Sequence, residues 1–170
     1  MANMLNSEQI IERGVLKLEH SKGKAAQIGY DLSVKEIKSL VGLGKVFTEK
    51  TFLPGYDTVP YAPSPPSPRD NCWILDPGYY EVTFWEGCKI PNNLVGLIRQ
   101  RSSMLRSGAL LHSSVFDPGF ETEFMGSFIA VFHPIFIEKD ARIGQIYFHE
   151  CEPVTKGYDG QFQKDKQRVK

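Results

Sequence analysis

The strongest constraint on this chain is its turn punctuation. From Cys72 onward, short runs of aromatic and branched residues are separated by turn signals at close intervals. Trp73-Ile74-Leu75 runs into Asp76-Pro77-Gly78, and Tyr79-Tyr80-Glu81-Val82-Thr83-Phe84-Trp85 follows. Ile90-Pro91-Asn92-Asn93 then precedes Leu94-Val95-Gly96-Leu97-Ile98. Beyond Phe120 come Phe128 to Phe132, Ile135 to Ile137 and Ile143 to Phe148. Branched and ring side chains suit a pleated, half-buried surface, and Pro and Gly fix the turns between them. Segments this short and this often interrupted cannot be helices, so the pattern predicts an all-β sandwich or barrel with only short helices.

The N-terminal third adds detail. Asn6-Ser7-Glu8-Gln9 opens a short capped helix, with Asn6 or Ser7 as N-cap and Gly14 as its stop. Val15 to Glu19 alternates like a strand. Gln27 to Val34 alternates again, with Tyr30, Leu32 and Val34 on one side. Asp31 therefore points the other way, either as a surface aspartate or as a carboxylate for a metal or phosphate site. Lys35 to Val46 is a short helix or a hairpin, and Gly42 and Gly44 argue against a long helix. Tyr61-Ala62-Pro63-Ser64-Pro65-Pro66-Ser67-Pro68 is expected to be an extended surface loop, since proline lacks the N–H that a central strand needs. A docking motif for a proline-reading partner is the less favoured alternative.

At 170 residues the chain is one domain, expected over 1–155, with a polar and basic tail at 156–170 that is expected to be mobile. Twenty basic and twenty acidic residues cancel. That balance gives no support for binding nucleic acid through a basic surface, so any phosphate must be held by a few placed groups. Cys72, Cys88 and Cys151 match neither a zinc pattern nor a disulfide framework, as in a reducing cytosol. No apolar run is long enough to cross a bilayer and the N-terminus lacks a signal-peptide pattern, so a cytoplasmic protein without a membrane partner is expected.

Two stretches carry chemistry. Arg101-Ser102-Ser103-Met104-Leu105-Arg106 puts two cations and two hydroxyls at the opening of a short helix, where serines cap N–H groups and anions are favoured. Asp117-Pro118-Gly119-Phe120 puts a carboxylate on a turn with a ring after it. Taken singly, each has a plainer explanation: a helix cap, ion-paired arginines, a common turn aspartate. Gln145, set in an apolar strand, is on its own a hydrogen-bonded strand residue.

Together these segments resemble the dUTPase and dCTP deaminase superfamily, over most of the chain. Met4 to Ile10 looks like the start of a dCTP deaminase, and Gln27-Ile28-Gly29-Tyr30-Asp31-Leu32 resembles the first motif of both enzymes. Leu75 to Tyr79, Ile90-Pro91 and Leu94-Val95-Gly96 to Arg101-Ser102-Ser103 follow the deaminase-type branch. Asp117 to Phe120 resembles the third motif, Arg142-Ile143-Gly144-Gln145 the fourth, and Tyr158 to Gln163 the C-terminal motif of that branch. The order and spacing of the set are specific where any one motif is weak.

The resemblance implies a jelly-roll-like β-barrel in a homotrimer with shared active sites. It implies Asp117 as the carboxylate that activates water, with Gln145 helping to hold the site. It places Arg101, Ser102, Ser103 and Arg106 on the phosphates and Phe120 against the deoxyribose, where a ring leaves no room for a 2′-hydroxyl. It assigns Asp31 to Mg²⁺ through water, and Tyr158, Gln161 and Phe162 to a tail that closes over the site. Backbone groups between Leu110 and Phe124 would read the base. A deaminase also needs a glutamate on the strand after the third motif, to move protons at the cytosine ring. The alignment puts Val131 there, with Glu121 and Glu123 before that strand. The expected activity is therefore hydrolysis of dUTP, or a related deoxynucleotide, to dUMP and pyrophosphate. A dCTP deaminase, alone or bifunctional, and a non-catalytic nucleotide-binding regulatory trimer are the alternatives.

Overall fold

The computed structural model describes residues 3–62 and 71–163, so most of the proline-rich 61–68 loop and the last seven residues lie outside the described residues. Helix α1 (Ser7–Glu12) is followed by β1 (Leu16–Lys17), β2 (Lys24–Ala25) and β3 (Tyr30–Val41). Next come β4 (Lys45–Val46), β5 (Thr51–Phe52), β6 (Gly55–Thr58), β7 (Cys72–Leu75), β8 (Gly78–Phe84), β9 (Gly87–Lys89) and β10 (Leu94–Gln100). Helix α2 (Ser102–Arg106) leads to β11 (Ala109–His112), β12 (Glu121–Thr122), β13 (Gly126–Val131), β14 (Ile135–Glu138) and β15 (Arg142–Glu150). The all-β expectation holds.

The main sheet runs β10-β15-β3-β8-β13-β11, with β2 and β6 also paired to β3. Its two ends return to one another. Ser113 Oγ lies 3.3 Å from both the N and the O of Ile98, and Phe116 and Gly96 exchange backbone hydrogen bonds of 2.9 Å. The result is a nearly closed barrel around Leu32, Val82, Phe84, Ile129, Ile146 and Phe148, all fully buried. Closure of this kind removes exposed sheet edges.

Strand β3 is the spine. A β-bulge between Val34 and Glu36 separates a first part, which pairs with β2 and β15 and meets β8 at Val34, from a second that pairs with β6 and β8. The region from Lys35 to Val46 is thus the rest of this strand and a hairpin arm, not a helix. Asn6 caps α1, accepting from Gln9 N while the Gln9 side chain accepts from Asn6 N.

Candidate active site

Asp31 is the second residue of β3, and in register it faces Gln145 on β15. It is 8% exposed, and its Oδ2 lies 3.3 Å from Arg101 Nε and 3.8 Å from Arg142 Nη1. Arg101 Nη1 also donates to the carbonyl of Arg142 (3.2 Å), and Arg101 N donates to the carbonyl of Ile143 (2.8 Å). The two arginines are thus braced on each other and on one carboxylate. Gln145 is half-buried, turned away from the core that Ile146 and Phe148 fill, and its Nε2 donates to the carbonyl of Ile28 (2.7 Å).

Ser102 and Ser103 are the first two residues of α2 and are exposed. They do not cap the helix: Arg101 is the N-cap, with extended backbone, no side-chain cap and its carbonyl accepting from Met104 N (3.0 Å). The helix starts one residue earlier than a serine cap requires, which leaves both hydroxyls turned to solvent beside the arginines. Arg106 closes α2 and is exposed.

A second group gathers around the Asp117 turn. Asp117 is exposed, and Gly119 at φ 84° makes the left-handed step that an L side chain would resist. The Phe120 ring is met edge-on by Phe116 (5.6 Å) and Tyr158 (5.4 Å). Residues of the tail lie on this same turn: Tyr158 N donates to the carbonyl of Pro118 (2.8 Å). Gln163 accepts from Glu121 N (2.8 Å) and donates to the carbonyls of Gly119 (2.9 Å) and Tyr158 (3.0 Å). Gln161 and Phe162 are exposed, with Phe162 N directed at Tyr158 Oη (3.4 Å).

The two groups stand at opposite ends of β10. Phe116 bridges Gly96, and the chain then runs toward Ile90, whose carbonyl accepts from Gly119 N (2.9 Å). Arg101 is five residues beyond Gly96 in the other direction, about 17 Å along an extended strand. One copy of the chain does not bring Asp117 and Phe120 to Asp31, Arg101 and Gln145.

Strand β13 offers no proton carrier. Its side chains are those of Gly126, Ser127, Phe128, Ile129, Ala130 and Val131, and Val131 is buried between Gly78 and Ala109. Glu121 and Glu123 both bind Lys17 Nζ, at 2.7 and 2.9 Å.

Two residues of this region carry no role in the sequence-based assignment. Arg142 stands in the fourth motif, but only the pairing of β3 with β15 shows that it shares Asp31 with Arg101. Glu86 follows Trp85 where a strand ends, and no periodicity marks it as buried. It is 0% exposed and accepts from Ser21 Oγ (2.5 Å), Gly23 N (3.0 Å), Ser33 N (2.9 Å) and Ser33 Oγ (2.7 Å).

No three metal-binding side chains converge among the described residues. Mg²⁺ needs no such cage, because it retains several waters and is held by one or two carboxylates together with substrate phosphates. Asp31, a single carboxylate beside arginines and exposed serines, fits an ion that arrives on a polyphosphate and is bound through water. It does not fit a resident, fully protein-coordinated metal.

A sequence profile of the dCTP deaminase-like family matches residues 6–151. The chain is 41% identical over 138 residues to the deoxyuridine 5'-triphosphate nucleotidohydrolase of Methanocaldococcus jannaschii, covering 79% of this chain and 83% of that one. It is 33% identical to a protein of Aeropyrum pernix named "probable deoxyuridine 5'-triphosphate nucleotidohydrolase", covering 94% and 96% of the two chains. The crystal structure of 2'-deoxycytidine 5'-triphosphate deaminase from Agrobacterium tumefaciens has the same fold, with a TM-score of 0.62 at 14% identity. That match covers 88% of this chain and 48% of the deaminase.

Proposed function

The chain belongs to the dCTP deaminase-like family, and within it we propose that this member is a dUTP diphosphatase, hydrolysing dUTP to dUMP and pyrophosphate. The observation that carries this choice is β13, a strand without an ionisable side chain where a deaminase of this family is expected to carry a glutamate. Valine cannot hold or release a proton. Glu121 and Glu123, the acids that precede this strand, are each bound to Lys17. The archaeal relatives named as deoxyuridine triphosphate nucleotidohydrolases support the same choice.

Asp117, exposed on its turn, accepts a proton from water. The water oxygen forms a bond to the α-phosphorus, the bond from that phosphorus to the bridging oxygen breaks, and pyrophosphate leaves with the electron pair. Arg101, Ser102, Ser103 and Arg106 hold the phosphates, where donors aimed at developing charge act most strongly. Phe120, edge-on to Tyr158, lies against the deoxyribose, and Gln145 fixes the edge of the site. Gln161 and Phe162 belong to the part of the tail that closes over it. Asp31 would hold Mg²⁺ through water, and the ion's chemistry when bound is to neutralise charge on the phosphate oxygens.

Because Asp117 and Arg101 lie at opposite ends of β10, a working site needs two copies of the chain, and we propose the homotrimer. A site shared across a closed symmetric assembly removes this separation. The test is Asp117→Ala. Loss of a general base lowers a rate by about 10² to 10⁴, so pyrophosphate release should fall that far while dUTP still binds in calorimetry. Retention of more than a tenth of the wild-type rate would remove Asp117 from its role.

A further inference from the structure

Asp31 and Gln145 are the middle of a longer row. Lys24 on β2 is paired with Asp31, and Arg99 on β10 is paired with Gln145. Residues directly opposed in antiparallel strands project from the same face. Lys24, Asp31, Gln145 and Arg99 therefore stand side by side across four strands, about 4.8 Å apart from one to the next. Arg101 and Arg142 close on Asp31 from the end of the sheet.

The charges in this patch do not balance. Of the four cations Lys24, Arg99, Arg101 and Arg142, the last two lie against the Asp31 carboxylate, in a chain whose 20 basic and 20 acidic residues cancel overall. Lys24 and Arg99 are exposed, and among the described residues neither has an ion-pair or side-chain hydrogen-bond partner. An exposed lysine or arginine alone means nothing, since most are simply hydrated. Here, however, both stand in one row with Asp31 and Gln145, beside the arginine proposed to hold the phosphates, where an anion of several charges would be attracted by all of them.

Lys24 is also held in place. Glu86 accepts from Ser21 Oγ and Gly23 N on one side and from Ser33 N and Oγ on the other, which fastens the Ser21–Gly23 segment to β3. Lys22 N adds a bond to Ser33 Oγ (3.1 Å). Gly23 sits so close that a Cβ there would lie 2.1 Å from the Asp31 carbonyl. A buried carboxylate is a costly fastener, and the strand it fastens carries Lys24.

We infer that Lys24 and Arg99 are further substrate-binding residues that hold the pyrophosphate portion of the nucleotide, the part that becomes the leaving group. This rests on placing the phosphates at Arg101, and it adds two contacts that the motif residues do not supply. The experiment uses the full-length protein, inorganic pyrophosphate as probe, and the variants Lys24→Gln, Arg99→Gln and their double. Lys139→Gln, an exposed lysine away from this row, is the control for net charge.

Each single variant should weaken calorimetric pyrophosphate binding roughly tenfold, as expected for a lost charge-assisted hydrogen bond. The KM for dUTP should rise in step, with a smaller change in kcat, while binding of dUMP shifts less than twofold. A double variant that binds pyrophosphate as wild type does, or a Lys139→Gln effect of equal size, overturns the inference. Pyrophosphate binding needs no turnover, so the two readings fail separately. Binding that depends on Lys24 and Arg99 in a protein that does not hydrolyse dUTP would sink the proposed activity and leave this assignment standing.

Discussion

Replacing Glu86 by Gln changes one atom in a fully buried side chain, and the loss can be reasoned donor by donor. The carboxylate takes four hydrogen bonds, three at Oε1 and one at Oε2 from Ser33 N. A glutamine in the same rotamer keeps one oxygen for Ser21 Oγ, Gly23 N and Ser33 Oγ. Its NH₂ then faces the Ser33 N–H, donor against donor. A backbone N–H on a paired strand cannot turn away, and losing its acceptor costs about 1–3 kcal/mol. The other three bonds weaken as the acceptor becomes neutral. Opposing this, the variant no longer buries a charge, which recovers part of the desolvation cost. The expected net loss is about 2 kcal/mol, a midpoint shift of about 1 M in urea if the slope is near 2 kcal/mol/M. Urea unfolding at neutral pH reads the shift, and amide hydrogen exchange at Gly23 and Ser33 reads its location. A variant as stable as wild type, or more stable, would show that desolvation of the charge outweighs its bonds and that Glu86 is not a net stabilising clamp.

Two further outcomes follow from the same structure. Mixing inactive Asp117→Ala and inactive Arg101→Ala proteins under exchange of subunits should restore activity, with about one quarter of shared sites intact in a random assembly. Mixed protein as inactive as its parents would mean that each copy builds its site alone. Burial, slightly offset by the nearby Lys17, pushes the Cys88 thiol from 9.0 to about 12. A raised folded value means this contribution to stability is whole below pH 9 and is lost as the pH climbs toward 12, because the unfolded thiol ionises first. Urea midpoints should fall over that window, less steeply in Cys88→Ala, and an identical slope in the variant would remove Cys88 as a cause.

The β architecture was legible because its signals are local. Pro-Gly turns and branched, aromatic runs mark β8, β10 and β13 without reference to the rest of the chain. The capping box of Asn6 and Gln9 is equally local. The second part of β3 was not legible, since Lys35, Glu36 and Lys38 interrupt any apolar alternation and the strand is held by distant partners. The site divides in the same way. Asp31, Arg101, Asp117 and Gln145 sit in motifs that resemblance can find. That Arg142 shares Asp31, that Lys24 and Arg99 line up beside it, and that Glu86 is buried all depend on strand register. The serines of α2 mislead for a subtler reason: a Ser-Ser pair at a helix start reads as a cap, yet the backbone of Arg101 already fills that position.

The most direct test of the central claim is to incubate the wild-type protein with Mg²⁺ and either dUTP or dCTP, and to measure pyrophosphate and ammonia in the same samples. A dUTP diphosphatase releases pyrophosphate from dUTP and no ammonia from dCTP. Ammonia from dCTP would mean that the site moves protons at the base without a glutamate on β13, and no pyrophosphate from dUTP would leave a nucleotide-binding protein in place of the enzyme.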